Sequence, residues 1–315
     1  MARTLSISNS DIKKVVVKAI AFLTLSWIIS SGLYYGLDYV YMRSYGGNSG
    51  AYVNHVIRTK YDAYIFGASR AVHHYDPSII EEKLGLSCYN AGDDAKNPAY
   101  QLGLLKMLLA NHTPKLVIYE IGDLSPKLGK GIMGLHPYYY HNDDIKEIIE
   151  TGDKWAKVKF AYPLYAYNRK FVAILIGFLR SYPPSETGFR PLAGEMHPGE
   201  IARINESSKQ PGSVGNFDPN AVVSLRLFAH ECREKGIGLI FSFSPSYVPR
   251  EPAWMDVIRQ IAVDNDIPLV LYGENLQFIY NPKLFKDTLH LNANGTRFFT
   301  QLFADSLAVI LEREG

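Results

Sequence analysis

Two short stretches, one near each end of the chain, carry residue types suited to nucleophilic catalysis. The first is Tyr64-Ile65-Phe66-Gly67-Ala68-Ser69-Arg70, where an apolar run breaks off at Gly-Ala-Ser. The second is Phe285-Lys286-Asp287-Thr288-Leu289-His290, an Asp-x-x-His just ahead of a C-terminal helical pattern. A serine hydroxyl becomes an effective nucleophile only when a base takes its proton. A carboxylate three residues before a histidine, on a turn, can accept from Nδ1–H and aim Nε2 at a hydroxyl. Ser69 would then attack an acyl carbonyl, His290 would move the proton, and Asp287 would orient His290. Each residue also has an ordinary structural use: Ser69 as a helix cap, Asp287 as a cap or turn residue.

These side chains need elements to hold them. Residues 63–66 read as a buried strand, placing Ser69 at its C-terminal edge, where ligands bind in open α/β sheets. Gly67 permits a backbone shape that a Cβ would forbid. Further strands are expected at 86–90, 116–121, 238–243 and 269–272. They alternate with helices at 77–84, 99–110, 221–235, 254–264 and 294–313. Apolar strands alternating with helices predict an α/β fold with a parallel, doubly wound sheet covered on both faces. The alternation breaks over 124–219, which contains His136, Tyr138-Tyr139-Tyr140, His141 and Pro183-Pro184. Helices at 143–151 and 167–179 fit this stretch. An insertion of this length is either a cap over the site, holding an acceptor sugar, or a packed subdomain with no substrate role.

The composition is 47% hydrophobic and 20% charged, and the formal net charge is +2. That supports a large core and gives no electrostatic reason to expect nucleic acid. The 22 tyrosines suit either a carbohydrate cleft or a core. Residues 1–18 are basic, with Arg3, Lys13, Lys14 and Lys18 against Asp11. Residues 19–37 hold no charge, and as a helix would extend about 28 Å, close to a bilayer's hydrocarbon core. Trp27, Tyr34 and Tyr35 would sit near the interfaces, with the basic end in the cytoplasm and everything after Asp38 outside. A signal peptide cut near Ser30-Ser31-Gly32, or a buried soluble helix, are the alternatives. Residues 38–60 read as a linker and 61–315 as the catalytic domain. Cys88 and Cys232 are expected as two separate buried thiols, although a compartment outside the cytoplasm would permit a disulfide. No cofactor is called for: the strand-to-helix turns lack the glycine patterns that cradle nucleotide phosphates. His73-His74 lacks a carboxylate spacing that would complete a metal site.

Gly-x-Ser near the start and Asp-x-x-His near the end, in that order, resembles the SGNH/GDSL hydrolase superfamily over residues 61–315. More narrowly, with its apolar N-terminal segment, the chain looks like the membrane-anchored SGNH-type proteins of bacterial envelopes linked to O-acylation of surface polysaccharide. The resemblance implies a three-layer, flavodoxin-like α/β/α sandwich with strand order 2-1-3-4-5. It implies serine ester hydrolysis or O-acyl transfer on acetyl or other acyl esters of a cell-surface glycan, outside the bacterial cytoplasmic membrane, with a multi-pass membrane acyl donor as partner. The family's second block matches Tyr89-Asn90-Ala91-Gly92, which carries over Gly92 as an oxyanion donor. Its third block, Gly-x-Asn-Asp, reads Gly122-Asp123-Leu124-Ser125 here, so the asparagine is absent. Asn97 is the expected substitute, and Asp123 is expected to line the site. Arg70 would either bind an anionic acceptor or pair with Asp93 or Asp94. Losing one oxyanion donor typically costs about 10²–10³ in rate. That leaves room for a slow transferase, or for a competing class: an inactive envelope protein that binds glycan or a partner.

Overall fold

The computed structural model describes residues 9–44, 52–122, 124, 131–168, 170–180, 186–207, 217–249, 252 and 254–314. Its helices are α1 (Asn9–Tyr41), α2 (Tyr52–Arg58), α3 (Ser69–His74), α4 (Pro77–Leu84), α5 (Pro98–Leu109), α6 (Asp143–Gly152), α7 (Ala156–Phe160), α8 (Phe171–Arg180), α9 (Pro198–Ser207), α10 (Pro219–Glu234), α11 (Met255–Asp264) and α12 (Ala293–Glu314). The strands are β1 (Ala63–Phe66), β2 (Cys88–Asn90), β3 (Leu116–Glu120), β4 (Gly238–Phe243) and β5 (Leu269–Leu271). The chain divides into two compact units. One contains residues 53–135 and 183–315, the other 1–52 and 136–182.

The first unit is built on one five-stranded sheet, ordered β2-β1-β3-β4-β5 with every pairing parallel. This is the α/β architecture and the 2-1-3-4-5 order that the resemblance implies. Ile65 pairs in register with Ile118, and Ile118 with Ile240, so three β-branched side chains cross the sheet centre side by side. All three are buried and pack toward Phe299, Phe303 and Leu307 of α12. The opposite face is aromatic: Phe228 of α10 lies 5.2 Å from Phe66 and 4.8 Å from Tyr119, both at edge-on angles. Burial on both faces is why these strands read as continuous apolar runs rather than alternating ones. Three of the surrounding helices open on an Asx-Pro pair. Asp76, Asn97 and Asp218 each accept a backbone N–H from the first turn, with Pro at the first helical position.

The second unit bears on two expectations. Residues 38–60 are not an irregular linker throughout, since α1 continues to Tyr41 and α2 begins at Tyr52. Residues 136–182, from the expected cap, form one compact unit with α1. α1 turns a stripe of Ser30, Tyr34, Leu37 and Tyr41 inward, at the three- and four-residue spacing that places side chains on one helix face. Along it, the Trp27 indole donates to Ala161 O at 3.1 Å, and Leu164 N–H donates to Ser30 Oγ at 3.2 Å. The Asp38 carboxylate accepts from the Tyr167 hydroxyl at 2.6 Å and meets His141 Nε2 at 2.7 Å. From Asn9 to Leu25, by contrast, every residue is exposed, which removes the buried-helix alternative. α1 is long and apolar enough to cross a membrane.

The tyrosines are largely core residues. Tyr64, Tyr75, Tyr89 and Tyr100 are fully buried in the sheet unit, as are Tyr41 and Tyr167 in the other. Cys88 and Cys232 are both buried and unbonded, and burial pushes the Cys232 thiol up to about 12.

Candidate active site

The site is assembled at the C-terminal end of β1. Gly67 has φ +142°, a left-handed conformation that side chains disfavour, and a Cβ there would stand 2.8 Å from both Glu120 O and Ala71 Cβ. The chain therefore turns sharply beside the end of β3, and Ser69 becomes the first residue of α3. Its hydroxyl is not used as a cap: the capping position belongs to Ala68, with no side-chain cap bond among the described residues. Instead Ser69 Oγ lies 2.8 Å from His290 Nε2.

His290 sits on a tight loop closed by a single antiparallel bridge between Phe285 and Leu291, both fully buried. Lys286 N–H donates to His290 O at 2.8 Å across this loop. Inside it, Asp287 Oδ1 accepts from Leu289 N–H at 2.8 Å and from His290 N–H at 2.9 Å. The same carboxylate meets His290 Nδ1 at 2.9 and 3.0 Å. Asp287 is thus both the turn residue and the partner of the imidazole. Burial alone would raise its pKa. The bonds from His290 and from the loop N–H groups outweigh that and hold it below the ordinary carboxylate value. A carboxylate on Nδ1 requires the proton there, which leaves Nε2 as the acceptor facing Ser69. Immediately after the loop, Asn292 Oδ1 accepts from Gly295 N–H at 3.0 Å, and α12 begins.

Of the other residues singled out in the sequence, Gly92 lies next to α3. A Cβ on it would come within 2.6 Å of Ala71 Cβ and 2.7 Å of Val72 N, so the close approach demands glycine. Its N–H, expected to point at an oxyanion, donates to Asn90 Oδ1 at 3.0 Å. Asn97 Oδ1 accepts from Tyr100 N–H at 3.0 Å, which makes Asn97 the N-cap of α5. Arg70 is placed differently from either expectation. It is 5% exposed and its guanidinium lies 3.0 Å from Glu120, turned into the core rather than toward Asp93 or Asp94. Those two acids pair with Arg190 at 3.0 and 3.3 Å, and Asp93 also with Lys96 at 3.1 Å. Asp123 lies outside the described residues.

The two adjacent histidines take different hydrogen-bond partners, although the His74 ring also lies 6.1 Å from that of His290. His73 Nε2 meets Asp94 Oδ1 at 3.0 Å, and Nδ1 meets Arg190 O at 2.6 Å, with its ring 5.7 Å from that of His290. His74 is fully buried. Sequence reasoning did not single out Glu120, Ser244 or Arg190. The first two stand at or just after the ends of β3 and β4, the edge on which this fold gathers its site. Arg190 comes from the stretch where alternation breaks.

No family model matches the chain, and no curated protein matches it. Solved structures do. The psychrotrophic esterase EstA from Pseudoalteromonas sp. is 11% identical with a TM-score of 0.42, over 80% of this chain and 99% of that one. The acetyl xylan esterase AlAXEase is 12% identical with a TM-score of 0.39, over 79% and 98%. A GDSL-like lipase from Bacteroides thetaiotaomicron is 12% identical with a TM-score of 0.39, over 84% and 98%.

Proposed function

We propose that the chain is a serine ester hydrolase of the SGNH/GDSL type, with Ser69 as nucleophile, His290 as general base and acid, and Asp287 as the group that orients His290. The observation that carries this is the continuous relay Ser69 Oγ–His290 Nε2 at 2.8 Å and His290 Nδ1–Asp287 at 2.9 Å. Both distances lie within the reach that proton transfer needs. Ser69 attacks the acyl carbonyl carbon while its proton passes to His290 Nε2. The tetrahedral oxyanion is met by Ser69 N–H. His290 then returns the proton to the leaving alkoxide oxygen, giving an acyl-enzyme and a free alcohol. Water, or a sugar hydroxyl, attacks that acyl group as His290 takes its proton, and His290 returns the proton to Ser69 Oγ as the acyl–Ser69 bond breaks. Water makes the protein an esterase and the sugar makes it an O-acyltransferase.

The finer assignment follows from the sequence resemblance taken with α1. Residues 19–37 anchor the chain in the cytoplasmic membrane, the sheet unit lies outside, and the substrate is an acyl ester of cell-envelope glycan. A multi-pass membrane acyl donor is the partner that the transferase variant needs. The engagement of Gly92 N–H by Asn90 favours the competing class, a glycan- or partner-binding protein with a vestigial site, because it removes an expected oxyanion donor.

Hydrolysis of p-nitrophenyl acetate and labelling by a fluorophosphonate probe, in the wild type beside Ser69→Ala, separate the two. The enzyme reading expects both signals in the wild type and a loss of roughly 10⁴–10⁶-fold in the variant. A wild-type protein that neither hydrolyses nor labels would leave the binding reading.

A further inference from the structure

Beneath the nucleophile lies a fully buried polar cluster that the relay itself does not use: Arg70, His74, Glu120 and Ser244, with Glu120, His74 and Ser244 at 0% exposure. Its hydrogen bonds have a determined direction. Leu291 N–H donates to His74 Nε2 at 3.0 Å, so in the neutral ring the proton is on Nδ1. Nδ1 then donates to Ser244 Oγ at 2.8 Å. Ser244 Oγ in turn donates to Glu120 Oε1 at 2.9 Å, and Ser244 N–H donates to Glu120 Oε2 at 3.1 Å. Arg70 meets Glu120 Oε1 at 3.0 Å and donates to Ser244 Oγ at 3.0 Å. Its guanidinium also donates to the Ser244 carbonyl and lies 4.3 Å from the centre of the Phe243 ring. The Tyr75 hydroxyl donates to Glu120 as well. Burial, reinforced by Arg70, holds the His74 ring well below its ordinary pKa, in keeping with a neutral ring that accepts from Leu291.

The chain positions involved matter more than the network's size. Arg70 follows the nucleophile, and Leu291 follows the base. They are separated by most of the sequence, yet each is tied to the same carboxylate, one directly and the other through His74 and Ser244. We propose that Arg70, Glu120, Ser244 and His74 are positioning residues that set the separation of Ser69 and His290 by tethering the residue after each to one buried carboxylate. This rests on the hydrolase reading, since it assigns a purpose to the Ser69–His290 distance. Satisfied networks of this kind in a low-dielectric interior hold a single geometry. A misplacement of about 1 Å in reacting groups can cost on the order of 10²-fold in rate.

The test is fluorophosphonate labelling of the full chain in detergent, scored two ways: the end-point, which counts competent sites, and the rate constant per titrated site. Ser244→Ala and His74→Leu are expected to reach the wild-type end-point about 10–100-fold more slowly. With p-nitrophenyl acetate they should lower kcat while KM stays within about twofold. His74→Gln, whose amide oxygen can still accept from Leu291 N–H, should recover part of the rate lost in His74→Leu. Glu120→Gln should behave as Ser244→Ala does; should it not fold, the Ser244 and His74 variants decide alone. Wild-type rate constants in those variants, or a reduced end-point at an unchanged rate constant, would overturn the inference while leaving Ser69 as nucleophile. An unlabelled wild type would bring down the hydrolase reading and this inference with it.

Discussion

At the scale of single residues, the decisive feature is that one side chain forgoes an ordinary local use and another adds a second use to its own. Ser69 could have capped α3 and does not. Asp287 braces its own turn through Leu289 and His290 N–H, and the same carboxylate meets the imidazole. Replacing Asp287 by Asn keeps the turn's acceptor but exchanges the carboxylate for a group that can present an N–H to Nδ1. The loss in kcat for p-nitrophenyl acetate should approach roughly 10⁴-fold, with thermal stability little changed. A variant within tenfold of wild type would remove Asp287 from the relay. The pH profile follows from the same bonds. Asp287 is held below its ordinary value, so it stays ionised as the acid limb develops, and only a proton on His290 Nε2 blocks attack. The acid limb of log(kcat/KM) should therefore have unit slope. A slope of two would mean that a second group, such as Asp94 beside His73, must also be ionised.

At the scale of elements, the site depends on two chain reversals that bring local backbone to specific places. One is the β1–α3 turn, where Gly67 at φ +142° passes under the end of β3. The other is the loop from Phe285 to Leu291, pinned at both ends by fully buried apolar side chains. Gly67→Ala adds a Cβ 2.8 Å from a backbone oxygen, in a conformation whose strain alone costs on the order of 1–3 kcal/mol. Thermal unfolding of this variant should show a clearly lowered Tm, and labelling at Ser69 should be slowed or lost. Wild-type Tm and labelling in Gly67→Ala would show that the turn has other conformations open to it.

At the scale of the whole chain, the five parallel strands place Ser69 after β1 and Glu120 and Ser244 at or just after the ends of β3 and β4, all on one sheet edge. In the other compact unit α1 is a packed element. Ser30, Tyr34, Leu37 and Tyr41 are its buried face, and Trp27 and Ser30 bond to residues 161 and 164. Cleavage near Ser30-Ser31-Gly32 would strip part of that face. Intact-mass measurement on protein extracted from membranes should therefore find residues 19–37 retained. A mature chain beginning after residue 32 would make the segment a signal peptide.

Much of this was legible in the sequence because it is encoded locally. Strand and helix periodicity, Asx-Pro helix starts, the uncharged run of residues 19–37 and the Asp-x-x-His spacing each depend on residues a few positions apart, and the alternation of strands and helices implied the parallel sheet. What the sequence could not decide was where polar side chains point once distant segments meet. Arg70 was free to pair with Asp93 or Asp94 and instead pairs with Glu120, because the tight Gly67 turn directs it into a core where an unpaired carboxylate would be costly. Asn90 Oδ1 accepts from Gly92 N–H, and Asn97 Oδ1 accepts from Tyr100 N–H as a helix cap, because backbone donors in and beside buried elements must be satisfied. Residues 136–182 looked like an interruption of the sheet fold, and their packing partner, α1, lies far earlier in the chain, ending at Tyr41. Local pattern determined the elements and singled out Ser69, Asp287 and His290, which the fold brings into one hydrogen-bonded chain. Tertiary packing alone decided which charges are buried together, and so which residues stand behind Ser69 and His290.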